Sequence, residues 1–148
     1  MGSLDETQAQ LNYEMAIYRE QISMLKRETE RVSLTTVDLT NALKTVEELD
    51  ATKVLIPIGG GAMVKGQVSE TKVLMPIGAG YLVDMEKTTA TVELNKRIDA
   101  TKKAVERLSD EFNKISSKLR DISMQIQQTE QQARIMDRGD ETMKEDYL

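Results

Sequence analysis

Two stretches of this chain alternate apolar residues at steps of four and three without a slip. The first runs Leu11, Met15, Tyr18, Ile22, Leu25, Thr29, Val32, Thr36, Leu39, Leu43, Val46, and nine of its eleven positions are apolar. The second runs Leu94, Ile98, Thr101, Val105, Leu108, Phe112, Ile115, Leu119, Ile122, Ile126, Thr129, Ala133, Met136, with eleven of thirteen apolar. A mean spacing of 3.5 residues is the seam of a coiled coil, whose a and d side chains pack into a partner helix. The spacing predicts helices over 7–51 and 86–138, with no Pro or Gly inside either seam to break them. At 1.5 Å per residue they reach roughly 65 and 80 Å, too long to bury themselves in a small globule. Each must pair, and the other is its nearest partner. The chain turns round between them, so the pair is expected to be antiparallel.

The turn is a repeat. Thr52-Lys53-Val54-Leu55-Ile56-Pro57-Ile58-Gly59-Gly60-Gly61 returns as Thr71-Lys72-Val73-Leu74-Met75-Pro76-Ile77-Gly78-Ala79-Gly80, identical at eight of ten positions. Both Pro and six of the eight Gly of the chain lie between 57 and 80. Runs rich in β-branched residues at Lys53–Ile58, Ala62–Val68, Lys72–Ile77 and Tyr81–Met85 are separated by these glycines. Such a pattern predicts two hairpins, because glycine supplies the positive φ of tight hairpin turns. Pro57 and Pro76 each lack a ladder donor and must sit at an edge or an unbonded position. A sheet this small is marginal alone, and its open edges invite another chain. The insert 52–85 is therefore expected to be an oligomerisation element. The residues expected to carry it are Val54, Leu55, Ile56, Pro57, Ile58, Gly59, Gly61, Val73, Leu74, Pro76, Ile77, Gly78 and Gly80.

Composition removes several function classes. The 148 residues contain no His and no Cys, which excludes disulfides, thiolate catalysis and imidazole acid–base devices. A net charge of −5 argues against a nucleic-acid partner. The longest apolar run, Val54 to Val64, is too short to span a bilayer and holds Pro and three Gly. No secretory pattern opens the chain, and the expected location is the cytoplasm. Gly61-Ala62-Met63-Val64-Lys65-Gly66 has the glycine spacing of a phosphate loop, but Gln67 stands where the Lys belongs. Gly59-x-Gly61 likewise meets Val64 where a dinucleotide fingerprint needs its third Gly. Hairpin turns explain these glycines more simply. The carboxylates alternate in sign with Lys and Arg, as on solvated helix faces, and suggest no catalytic pair. No enzyme activity and no cofactor or metal are expected. Arg138-Gly139-Asp140 matches an adhesion tripeptide by chance.

Apolar residues off the seams are more informative. Tyr13, Ile17 and Met24 lie outside the first seam, and Met124 and Ile135 outside the second. With antiparallel pairing they gather at the end farthest from the insert, where the seam residues Leu11, Met15, Tyr18, Ile126 and Met136 also lie. Exposed Met and Tyr suit adaptable apolar binding. Leu34 and Val37 also face outward mid-helix, and scattered surface apolars need no function. Residues 139–148 hold an excess of acid after Gly139 and are expected to be a disordered tail.

Helix, two glycine-turned hairpins, helix: this order resembles the α class of the prefoldin family across essentially the whole chain. Leu55-Ile56-Pro57-Ile58-Gly59-Gly60-Gly61 and Pro76-Ile77-Gly78-Ala79-Gly80-Tyr81 are its most specific signals. The resemblance implies an α+β subunit in which a long antiparallel two-helix coiled coil carries two central β-hairpins that join an oligomeric β-barrel platform. It implies a hetero-hexamer of two α-class and four β-class chains and an ATP-independent co-chaperone function. Unfolded client proteins would be captured at the coiled-coil tips, by Leu11, Tyr13, Met15, Ile17, Tyr18, Met124, Ile126, Ile135 and Met136, and handed to a group II chaperonin. A structural coiled-coil scaffold, or a filament-forming prefoldin-like homo-oligomer, is the alternative.

Overall fold

The computed structural model describes residues 2–50, 53–70 and 72–146, with side chains described except at 2 and 140–146. Thr52 and Thr71, which open the two copies of the repeat, lie outside the described residues. The element order is α1 (Gly2–Glu48), β1 (Lys53–Gly59), β2 (Ala62–Gln67), β3 (Val73–Gly78), β4 (Tyr81–Met85) and α2 (Lys87–Asp146). The chain divides into two compact units, one of residues 1–30 with 106–148 and one of residues 31–105.

The unit of residues 31–105 holds both hairpins and the helix segments that flank them. Its core is Val46, Met75, Ala90 and Leu94, with Leu39, Ala42, Leu43, Val73 and Met85 packed around it. Leu39, Leu43, Val46 and Leu94 are seam residues, so the seam continues into the core that receives β3. Thr36 and Thr101, polar residues on facing seams, meet across it. The Thr36 hydroxyl donates to Thr101 Oγ1 at 2.8 Å, and Thr101 lies 2.8 Å from the Ile98 carbonyl, to which it donates. Two of the four polar seam positions, Thr36 and Thr101, are thus one polar rung, the type of layer that fixes register at some cost in packing. α1 ends without a basic residue in its last turn. Lys87, the first residue of α2, supplies the charge by donating to the Leu49 carbonyl at 3.1 Å.

Each hairpin is a separate two-stranded antiparallel sheet. β1 pairs with β2 from Lys53↔Gln67 to Gly59↔Ala62, and β3 with β4 from Val73↔Met85 to Gly78↔Tyr81. The loops are therefore two residues long, Gly60-Gly61 and Ala79-Gly80, not the three that the glycine clusters suggest. Both central residues of each loop have positive φ, 59° and 80° at Gly60 and Gly61, 50° and 80° at Ala79 and Gly80. This is the primed turn whose twist matches the strands. An extra residue, Ile58 in β1 and Ile77 in β3, bulges each strand just before its turn. Ala79 is the one place where the repeat puts a Cβ into the left-handed region. Ala79→Gly is expected to stabilise the chain by about 1 kcal/mol. Urea unfolding would show it as a raised midpoint at unchanged slope.

The unit of residues 1–30 and 106–148 is a helix pair. Lys26 Nζ sits 5.9 Å from the Phe112 ring centroid, and Lys118 Nζ 5.8 Å from that of Tyr18. Numbers falling along α1 as they rise along α2 make the pair antiparallel. Across the chain, all eleven seam positions of α1 are buried or half-buried, as are twelve of the thirteen in α2. Met136 is the exception and is exposed. Ala133, one step earlier in the same seam, is still half-buried.

Three boundaries differ from expectation. α1 starts at Gly2, because Leu4 and Gln8 continue the heptad and are half-buried. It stops at Glu48, and Ala51 lies outside the described residues. The tail expected to be disordered from 139 instead continues α2 to Asp146. Gly139 takes no positive φ there. One Gly costs a helix about 1 kcal/mol, and the Glu, Met and Lys that follow favour helix over arrest. Tyr147 and Leu148 lie outside the described residues.

Candidate functional site

The hairpins leave their apolar residues uncovered. Strand alternation gives the first hairpin two faces: Leu55, Pro57, Met63 and Lys65 on one, Val54, Ile56, Val64 and Gly66 on the other. Val54 and Gly66 are half-buried, and the other apolar residues on both faces are exposed. A Cβ at Gly66 would lie 2.8 Å from Ile56 Cδ1, so Ile56 lies across the glycine where a larger residue would lift it. The second hairpin divides its faces differently. Val73, Met75, Val83 and Met85 share one face, whose Val73, Met75 and Met85 pack on the helix core. Leu74, Pro76, Leu82 and Asp84 form the other, which is exposed.

Arg97 fixes the second hairpin at its edge. Its Nη2 donates to the Pro76 carbonyl at 2.8 Å, while its Nε donates to Glu93 Oε1 at 3.2 Å. In an antiparallel ladder one residue's N and C=O point to the same side. The Pro76 nitrogen therefore faces away from β4, and the ladder loses no donor there. By register Pro57, opposite Met63, is placed like Pro76, opposite Leu82.

Of the oligomerisation residues read from the sequence, Leu55, Ile56, Pro57, Ile58, Leu74, Pro76 and Ile77 are exposed, as are Gly59, Gly61, Gly78 and Gly80 at the turns. Val54 is half-buried, and Val73 packs on its own chain. Met63, Val64, Tyr81, Leu82 and Val83 are further exposed apolars of the same surface. Strand alternation in β2 and β4 was the signal for them, but the repeat draws the eye to β1 and β3. Ten of the nineteen exposed large apolar residues among those described fall within the hairpins. That density on so short a segment makes the hairpins the first candidate surface.

The second candidate surface belongs to the unit of residues 1–30 and 106–148. Tyr13, Ile17, Met24, Met124, Ile135 and Met136 are exposed there. Leu11, Met15, Tyr18 and Ile126 are half-buried along the seam, so the candidate tip residues divide into an exposed set and a half-buried set. Among the described residues no polar or charged side chain is buried, and no group of His, Cys, Asp or Glu is placed to hold a metal ion. No helix among them is long and apolar enough to cross a membrane.

A two-helix antiparallel coil bearing paired hairpins with open apolar faces is a distinct class of chain. Residues 18–132 match the family model of prefoldin subunits. The chain belongs to the prefoldin family, a family of chaperones. It is 29% identical over 103 residues to prefoldin subunit alpha of Methanococcus aeolicus, spanning 68% of this chain and 72% of that one. That likeness places it in the alpha class. Among solved structures it resembles a chain of filamentous PFD from Methanocaldococcus jannaschii, with a TM-score of 0.65 and 24% identity over 77% of this chain and 98% of that one. It also resembles the prefoldin beta subunit of Thermococcus strain KS-1, with a TM-score of 0.59 and 20% identity, covering 82% and 90%. Both structures share its fold.

Proposed function

We propose that this chain is the α-class subunit of a cytoplasmic, ATP-independent co-chaperone. Two copies assemble with four β-class chains through the hairpins. The helix ends remote from the hairpins along the chain hold unfolded proteins and pass them to a group II chaperonin. The observation that carries the reading is that sixteen of the nineteen exposed large apolar residues among those described fall into two groups in a chaperone-family chain, with Leu34, Val37 and Val92 in neither. One group lies on hairpin faces, the other on Tyr13, Ile17, Met24, Met124, Ile135 and Met136.

The mechanism needs no pocket. A single tip offers a few apolar side chains, each worth about 1.5–3 kcal/mol when fully buried and less in a loose contact. Several tips on one platform make the second and later contacts intramolecular, so avidity supplies holding strength while each contact stays reversible. Adaptable Met side chains let the same surface accept unrelated sequences.

Assembly with a one-hairpin partner followed by dilution of a denatured client tests this reading. The complex is expected to suppress client aggregation without ATP. Removal of residues 1–18 and 127–148 from this chain is expected to abolish suppression while leaving the mass of the complex that of two shortened chains and four partner chains. Full suppression by the shortened chain would refute the tip assignment. A filament-forming homo-oligomer is the second reading, favoured by the likeness to the chain of filamentous PFD. Light scattering of the chain alone separates it from the first.

A further inference from the structure

Half of the exposed large apolar residues in the unit of residues 1–30 and 106–148 are methionines. They are Met24, Met124 and Met136, three of six, whereas the hairpins expose one methionine, Met63, among ten such residues. Their exposures are 57%, 54% and 52%, against 4% for Met75 in the core. Met15 and Met85 are half-buried. Met24 also lines a shallow groove of about 270 Å³ with Gln21, Leu25, Glu111 and Ile115, so its side chain borders a recess that an apolar group can enter. The chain contains no Cys, which leaves the thioether as its only sulfur group for an oxidant.

We propose that Met24, Met124 and Met136 are sites of reversible oxidation by peroxides, and that their conversion to sulfoxides releases client from the chain. The inference rests on the reading of these residues as client contacts and adds a chemical control to it. A sulfur lone pair attacks one oxygen of hydrogen peroxide, the O–O bond breaks, and after transfer of a proton water leaves. The sulfur loses two electrons and the peroxide gains them. A polar, chiral S=O then stands in place of a flexible apolar thioether. Its oxygen accepts hydrogen bonds from water, and an apolar client surface laid over it strips that water without replacing the bonds. Losing three contacts of six also removes the local concentration that sustains the others. The fold survives, because Met75 is sheltered in the core and polar atoms at exposed positions disturb little. The return step needs a dithiol: the sulfoxide oxygen leaves as water while the dithiol closes to a disulfide. Peroxide makes both sulfoxide epimers, so both classes of methionine sulfoxide reductase are required. This chain has no thiol of its own, so the reductant is a separate protein.

Treatment of the chain assembled with a one-hairpin partner by hydrogen peroxide, followed by quenching, tests the proposal against the untreated sample. Peptide mass spectrometry is expected to find one added oxygen at each of Met24, Met124 and Met136, with Met75 still reduced. Circular dichroism is expected to stay unchanged, and the complex to keep its mass apart from the added oxygens. The amount of complex that suppresses client aggregation by half is expected to rise by roughly threefold or more. Both classes of sulfoxide reductase, supplied with a dithiol, are expected to reverse that rise. A complex carrying Met24→Leu, Met124→Leu and Met136→Leu offers an apolar surface with no sulfur at these positions. Measured against its own untreated sample, it is expected to shift far less under the same treatment. Oxidation of Met63 and of the partner chains is common to both complexes and cancels in the comparison. Unchanged holding by a parent bearing all three sulfoxides, an equal loss in the triple variant, or a triple variant that holds no client before treatment would each overturn the proposal. If the untreated parent holds no client, the proposed function fails and this inference with it. If it holds clients and the three sulfoxides change nothing, only the control by oxidation is lost.

Discussion

A chain carrying Tyr13→Ser, Ile17→Ser, Met124→Gln, Ile135→Gln and Met136→Gln is expected to assemble as the parent does and to lose nearly all client holding. All five side chains are exposed, so their replacement removes little packing, most of it at Ile17, which is 39% exposed. Surface changes of this type alter stability by within about 0.5 kcal/mol each. Leu11, Met15, Tyr18 and Ile126, half-buried along the seam, are left unchanged. Holding by many weak contacts is steep in the number of contacts, because each loss also removes the local concentration that drives the next. The complex is expected to need at least roughly tenfold more protein to suppress client aggregation by half. Mass measurement and thermal unfolding of the same preparation separate lost binding from lost assembly.

The second large effect concerns stability. Leu94→Ala is expected to destabilise the chain by about 2–4 kcal/mol. Leu94 is 3% exposed and belongs both to the α2 seam and to the cluster of Val46, Met75 and Ala90 that receives the second hairpin. Its truncation loosens helix pairing and hairpin docking together. Leu34→Ala is the matched control: the same atoms are removed from a residue 62% exposed, and the change is expected to stay within about 0.5 kcal/mol. Urea unfolding of both variants measures the difference. Equal effects would mean that the core does not join hairpin to helices.

Much of this architecture is legible in the sequence because it depends on local spacing. A seam averaging 3.5 residues names its own buried positions, and every α1 residue from Leu11 to Val46 in that series has lost exposure. Gly59, Gly60, Gly61, Gly78 and Gly80 reveal hairpins because few other residues adopt the φ they require. Features set by pairing were less legible. Thr36 and Thr101 are polar positions in their own seams, and their contact is not legible there because it depends on the register between two distant helices. Val73 and Leu74 are equally apolar neighbours, and only the position of the helix core decides that Val73 turns inward and Leu74 stays exposed. Met136 fits the heptad of its own helix, yet it is exposed. Gly139 read as a stop, although a lone Gly costs too little to end a long helix. For the candidate sites, the turn glycines and the β1 and β3 apolars were readable, whereas Met63, Tyr81 and Leu82 emerged only with strand register.

Site-specific photo-crosslinking tests the division of labour between helix ends and hairpins most directly. A photoreactive residue would replace Ile17, Ile135, Leu55 or Leu74, one at a time, in the chain assembled with a one-hairpin partner and loaded with a labelled, denatured client. The expected result is client crosslinked from positions 17 and 135, and partner subunits crosslinked from 55 and 74. Client crosslinked chiefly from 55 and 74, with none from 17 and 135, would contradict it.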